Sequence, residues 1–154
     1  GGGWEQITGV ARSYLELADG RILLGTSDGL WRISGERIEK LSGPGGLPGT
    51  GFNCLLKTTD GSVWIGYTHG LHRMYPDGTS EDYATAQGLI DPRVSALLQD
   101  RHGDLWIGTY SGGVYRLAHG RIEAATHTDQ FGTTPVRRLI EDREDGFWVV
   151  TATG

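Results

Sequence analysis

The amino-acid sequence predicts an all-β fold: a β-propeller of four-stranded antiparallel blades of about 42 residues, with three complete blades and partial blades flanking them. Three observations carry the prediction. The first is a repeat whose turn glycines, Gly20, Gly61, Gly103 and Gly146, are spaced by 41, 42 and 43 residues. The second is that each unit breaks into four short apolar runs bounded by Gly and Asp, which is the pattern of strands and hairpin turns. The third is a negative one. No segment sustains a 3.6-residue period, so helix should be nearly absent, whereas solenoid repeats of similar length are helical. A sandwich would explain short strands, but not columns of identical residues recurring at the blade period.

The elements follow in chain order. Trp4-Glu-Gln-Ile7-Thr8 aligns with Arg37–Leu41, Ser80–Tyr83 and Arg121–Ala125, so residues 4–8 read as the outer strand of a preceding blade. Residues 10–41, 52–83 and 94–125 read as complete blades, and 136–154 as a partial one. In the clearest unit the strands are Val94–Gln99, Leu105–Thr109, Val114–Leu117 and Arg121–Ala125. The turns at Gly20, Gly61, Gly103 and Gly146 suit a positive φ between antiparallel strands. Leu23, Trp64, Trp106 and Trp148 place one bulky group per unit at the same point of the second strand. Gly25, Gly66 and Gly108 follow two residues later on the same face, where a strand glycine marks close backbone approach. The aligned arginines Arg32, Arg73 and Arg116 read as structural hydrogen-bond donors.

The chain stops inside a repeat and reads as an excerpt of something longer. An open arc leaves sheet faces and edges uncovered. Three arrangements answer that: a larger ring, several copies assembled, or a strained four-blade closure. The larger ring is the most economical.

Composition bounds the function. Twenty-six glycines in 154 residues lie mainly at recurring turn positions, and 37% hydrophobic with 21% charged residues describe a folded chain. The net charge of −5, with no Lys/Arg run, argues against a nucleic-acid partner. Cys54 is the single cysteine, within an apolar strand pattern, and reads as a buried inert thiol. No stretch is long and apolar enough for a membrane span, so no direct membrane contact is expected within this segment.

No catalytic set is legible. His69 and His72 span a turn with no further ligands at metal spacing. Asp142-Arg-Glu-Asp145-Gly146 lacks alternating calcium ligands. Gly43-Pro-Gly-Gly46 has no following helix to hold a phosphate. No Ser, Cys or Thr has a base at interpretable spacing. The expectation is a protein that is not an enzyme and needs no metal or cofactor. Its binding site should lie on the face carrying the loops between second and third strands and between successive blades. Asp28, His69, Tyr110 and Ser111 vary there while the framework repeats, and are the candidate ligand-binding residues.

Leu89-Ile-Asp-Pro-Arg-Val94 through Asp100, Gly103, Trp106-Ile-Gly108-Thr109 and on to Gly113-Val-Tyr-Arg116 resembles the two-component regulator propeller repeat. Gly46-Leu47-Pro48 and Gly88-Leu89 match the start of that motif. The first unit departs by Leu23 for the Trp, and the fourth by Val150-Thr151 for Gly-Thr. The resemblance implies the ligand-sensing propeller of a bacterial histidine kinase, hybrid two-component protein or diguanylate cyclase. It would be periplasmic or extracellular, with a small molecule or oligosaccharide as ligand. Further blades or other copies of the chain would be partners. A protein-interaction scaffold is the alternative. A virginiamycin-lyase-like enzyme is a third reading, from which the Trp-Ile-Gly-Thr and Gly-Val-x-Arg columns depart.

Overall fold

The computed structural model describes residues 6–42, 47, 49–111, 113–125 and 133–153. Apolar residues alternating over five or six positions, with turn chemistry between them, form four antiparallel sheets in chain order. The first holds β1 (Ala11–Glu16), β2 (Ile22–Thr26), β3 (Leu30–Ser34) and β4 (Arg37–Lys40). The second holds β5 (Cys54–Lys57), β6 (Val63–Tyr67), β7 (Gly70–Met74) and β8 (Ser80–Tyr83). The third holds β9 (Val94–Gln99), β10 (Leu105–Thr109), β11 (Val114–Ala118) and β12 (Arg121–Ala124). The fourth pairs β13 (Val136–Glu141) with β14 (Phe147–Thr151). Helical structure among the described residues is one 3₁₀ turn, Thr85–Gln87. Of the outer strand expected over residues 4–8, Trp4 and Glu5 lie outside the described residues, and residues 6–8 adopt no strand.

The sheets converge at their first strands: β1 neighbours β5, β5 neighbours β9, and β9 neighbours β13. Each junction is locked by a wedge. Phe52, Val94 and Val136, at the starts of successive first strands, are fully buried. They press onto the glycine of the preceding sheet's second strand. A Cβ on Gly25 would lie 3.2 Å from Phe52 Cβ, one on Gly66 2.6 Å from Val94 Cγ1, and one on Gly108 2.5 Å from Val136 Cγ1. The glycine column is therefore a row of notches, open only because no side chain fills them. Around each wedge lies an apolar layer, such as Leu23, Leu30, Val63, Ile65 and Tyr67 between the first two sheets.

The repeated turns have their own chemistry. Asp100 accepts from the backbone N–H groups of His102 and Asp104 and from the Trp106 indole Nε1, the last at 2.8 Å. Asp142 does the same for Glu144, Gly146 and Trp148. Gly20, Gly61 and Gly103 take positive φ values of 81°, 84° and 91°. The fourth turn corrects the expectation. There the left-handed residue is Asp145, with φ 62°, so it is Asp145 and not Gly146 that aligns with Gly103. The spacing from Gly103 to that position is then 42, and Asp tolerates the left-handed region because its short carboxylate bonds locally. The arginine column is structural, as expected. Arg32 bonds Glu39 at 2.8 Å, Arg73 bonds Asp60 at 2.5 Å over the Trp64 ring, and Arg116 bonds Asp104.

Candidate functional site

A polar cavity of about 260 Å3 opens where the first strands converge, lined by Arg12, Asn53, Ser95, Arg137 and Tyr110. The first four occupy one repeated position. Pairing of β1 with β2 skips Arg12, passing from Ala11 to Ser13. That of β9 with β10 skips Ser95, and that of β13 with β14 skips Arg137. Asn53 holds the equivalent place just before β5, its N–H donating to the Gly66 carbonyl at 2.8 Å. Three sheets thus begin with a bulge whose extra residue is turned out of the ladder, and in the second sheet Asn53 stands at the same position ahead of the paired strand. Bulges re-aim side chains in this way beside binding sites. The spacings are 41, 42 and 42 residues, so one side chain per sheet at this position reaches the same cavity.

These side chains also tie neighbouring sheets. Arg12 Nη1 donates to Asn53 Oδ1 at 2.8 Å, Asn53 Nδ2 donates to the Val94 carbonyl at 2.9 Å, and Ser95 Oγ donates to the Val136 carbonyl at 2.7 Å. Tyr110, in the loop after β10, reaches from the third sheet to the first. Its hydroxyl accepts from Arg12 Nη1 at 3.1 Å. Among the described residues no carboxylate lines this cavity.

Of the four residues expected at the site, Tyr110 lines the cavity and the others do not. Asp28 is exposed in the loop after β2, its carboxylate accepting from Ser27 Oγ at 2.9 Å. His69 is exposed, its ring 6.4 Å from that of Tyr67. Ser111 belongs to a loop clamp: its N–H donates to Asp91 and its hydroxyl accepts from Arg93 at 2.6 Å. Burial raises the Asp91 carboxyl, but its bonds from Arg93 and Ser111 outweigh that and hold it below the usual range. Sequence reasoning missed Arg12, Asn53, Ser95 and Arg137. The available signal was a polar residue breaking the alternation one place after the wedge, at the blade period.

A second groove, of about 170 Å3, lies at the turn end between the second and third sheets and includes Asp60, Arg73, Asp104 and His119. Its charges are mutually spent. Arg73 pairs with Asp60, and Arg116 with Asp104. The Thr58 hydroxyl, with Ser62 and Arg73, holds the Asp60 carboxyl down at about 2. Among the described residues no group of three or more His, Cys, Asp or Glu is placed to hold a metal ion. Cys54 keeps some exposed surface as a residue, yet burial of its thiol pushes it up to about 12, so it is protonated and unreactive at neutral pH.

Converging four-stranded sheets with a polar ring at their inner edge define a β-propeller. Residues 88–111 match the family model described as two component regulator propeller. No curated protein matches the sequence. Among solved structures, the chain is similar to the extracellular domain of a protein described as a hybrid two component system from B. thetaiotaomicron. The TM-score is 0.78 at 21% identity, covering 97% of this chain and 21% of that one. A second such domain from the same organism is similar at TM-score 0.74 and 18% identity, over 90% of this chain and 20% of that one. Virginiamycin B lyase from Staphylococcus aureus is similar at TM-score 0.68 and 16% identity, over 92% and 48%. Identities this low show a shared fold. The chain spans about a fifth of the two extracellular domains and about half of the lyase. Among the described residues no helix is long and apolar enough to cross a membrane.

Proposed function

We propose that the chain is a segment of a non-catalytic sensor propeller, belonging to an extracytoplasmic receptor of the two-component type. It binds a small polar solute in the cavity at the convergence of the first strands. The observation that carries this reading is the ring itself: four residues at one repeated position in four sheets, three of them bulges, which line one space with Tyr110. A framework that repeats its core but varies Arg, Asn, Ser and Arg at the bulge has the construction of a recognition site. The repeat match and the sensor-domain neighbours support the receptor context. The similarity to a lyase does not favour catalysis, since the described residues that line the cavity include no carboxylate, histidine or thiol to act as base or nucleophile.

Thermal-shift and calorimetric titration of the chain against a panel of mono- and oligosaccharides tests the reading. The expected outcome is saturable binding by a member of the panel that weakens at least about tenfold in Tyr110→Ala, as losing a ring stack or bound hydroxyl would cause. Binding that is indifferent to Tyr110→Ala and to Asn53→Ala would place the solute elsewhere and remove this cavity from the account.

We also propose that the apolar outer face of the fourth sheet receives a further blade, from the same ring or from another copy of the chain. Ile140, Trp148 and Val150 are exposed there, Trp148 at 61%. Their counterparts in the third sheet, Leu98, Trp106 and Gly108, lie under the sheet that follows.

A further inference from the structure

The cavity is electrostatically one-sided, in a chain that is acidic overall. The net charge is −5, yet among the described residues two guanidinium groups and no carboxylate line this space. Elsewhere the structure matches seven of ten arginines to acids, and among the described residues Arg121, Arg138 and Arg143 have none. Among the described residues, seven arginines lie within 3.6 Å of an Asp or Glu oxygen. Arg12 and Arg137 are not among them, and the Arg137 side chain has no hydrogen-bond partner among the described residues. Two guanidinium groups at one small cavity, with no acid paired to either among the described residues, attract an anion through a field that solvent partly screens, since both side chains are exposed.

Arg12 is also aimed. Asn53 Oδ1 and Tyr110 Oη both accept from its Nη1, at 2.8 and 3.1 Å. Asn53 is itself anchored, because its Nδ2 donates to the Val94 carbonyl. This leaves the Nε and Nη2 edge of the guanidinium without a partner among the described residues. That edge is the planar fork that binds a carboxylate through two parallel hydrogen bonds. The Tyr110 hydroxyl accepts from Arg12, so its own proton is free to donate. The volume of about 260 Å3 falls below the 300–1,000 Å3 of drug-sized sites, and suits one small acid or one acidic unit of a longer molecule.

We propose that this cavity is a carboxylate site, which holds the acidic group of a small solute between Arg12 and Arg137 with the Tyr110 hydroxyl as a further donor. The proposal rests on the solute-binding reading above and narrows it to an acidic ligand class. It also assigns the bulge column a role. The bulge residue of each blade selects the ligand, and a pair of arginines in the column selects for negative charge.

The test uses the 154-residue chain with sodium D-glucuronate, sodium acetate and D-glucose as probes, at constant chloride concentration. Binding is read by calorimetry and by the Arg Nε–Hε resonances in NMR. Glucuronate is expected to bind and to shift the Arg12 signal, with acetate competing for the same signal and glucose at least about tenfold weaker. Arg137→Gln, which removes an exposed side chain with no described partner, should weaken glucuronate about tenfold or more while leaving the fold unchanged by circular dichroism. Arg12→Lys keeps the charge but loses the fork, and should weaken it less than Arg12→Gln. Rising ionic strength should weaken glucuronate but not glucose. Equal binding of glucuronate and glucose, unaffected by either arginine change, would overturn the carboxylate site while leaving a neutral-solute site standing. Glucuronate binding that shifts neither arginine would overturn it as well.

Discussion

The aspartate that opens the third and fourth turns accounts for the tryptophan that follows it six residues later. Asp100 and Asp142 each take a hydrogen bond from the indole of Trp106 and Trp148, while also closing their own turn through two backbone N–H groups. Where the aspartate is absent the pairing changes. Leu17 takes the aspartate's place six residues before Leu23 in the first unit, and in the second Thr58 does so, with Trp64 beneath the Arg73 guanidinium. Asp100→Ala should therefore cost about 1–3 kcal/mol, because it strands an indole and two backbone donors, and a lowered thermal midpoint checks it. Protonation should reproduce part of that loss. The Trp148 indole, with two backbone N–H groups, holds Asp142 below the usual range, and the Thr58 hydroxyl holds Asp60 at about 2. A carboxylate whose folded value is depressed adds stability above its unfolded value, about 3.9, and loses it as pH falls towards the folded one. Stability should thus be flat above about pH 5 and fall between about pH 4 and pH 2. Asp60→Asn should flatten the lower part of that fall in an acid-unfolding series.

From the second sheet onward, each sheet holds the next at both ends of the first strand. At one end the wedge enters the glycine notch and the bulge side chain reaches across. At the other, Gln99 accepts from the Thr59 N–H at 2.9 Å, and Glu141 accepts from the Arg101 N–H at 3.0 Å. The two ends differ in kind. The wedges are dry and fully buried, so their loss costs apolar burial, whereas the turn contacts are exposed and contribute little. Val136→Ala should destabilise by about 2–3 kcal/mol, and Phe52→Ala by about 3–5 kcal/mol, read from denaturant midpoints at unchanged slope. Gly108→Val should be worse than Val136→Ala, since the added atoms collide with Val136 and Ala96 rather than leaving a void. Glu141→Ala should change the midpoint by less than about 1 kcal/mol.

The arc of sheets presents unlike ends. Tyr14 is 74% exposed on the first sheet, and Ile140, Trp148 and Val150 are exposed on the fourth. Contiguous apolar groups of this kind mark contact surfaces. The fourth sheet differs from the others in one respect that restricts what can dock. Val150 stands where Gly25, Gly66 and Gly108 stand in the preceding sheets, so the notch is filled. A blade seated there must bring a small residue at the wedge position in place of Phe or Val. Light scattering on the chain and on Trp148→Ser checks the surface. Association that grows with concentration and weakens in the variant is the expected result, and identical behaviour of the two would show that this face is not the contact.

The sequence by itself determined the all-β class, the blade period and the strands from β1 onward, because alternation, turn residues and notch glycines are local patterns that recur. It also marked Tyr110, through variation within a repeated frame. The arginine column was legible as structural because Arg32, Arg73 and Arg116 sit on a strand whose partners lie on neighbouring strands of the same sheet. Only the tertiary structure brought the candidate site together. Arg12, Asn53, Ser95 and Arg137 lie 41 or 42 residues apart, and each looks like an unremarkable polar residue beside an apolar one. What unites them is one repeated position, in three sheets a one-residue bulge that departs from the pairing register, and register is a property of two strands rather than of one. Their convergence depends further on how four sheets fan from a common edge. Asp28, His69 and Ser111 share a loop-bearing face with Tyr110 in the sequence pattern, but Asp28 bonds its neighbour Ser27, Ser111 bonds Asp91 and Arg93 of the preceding loop, and none of the three lines the cavity.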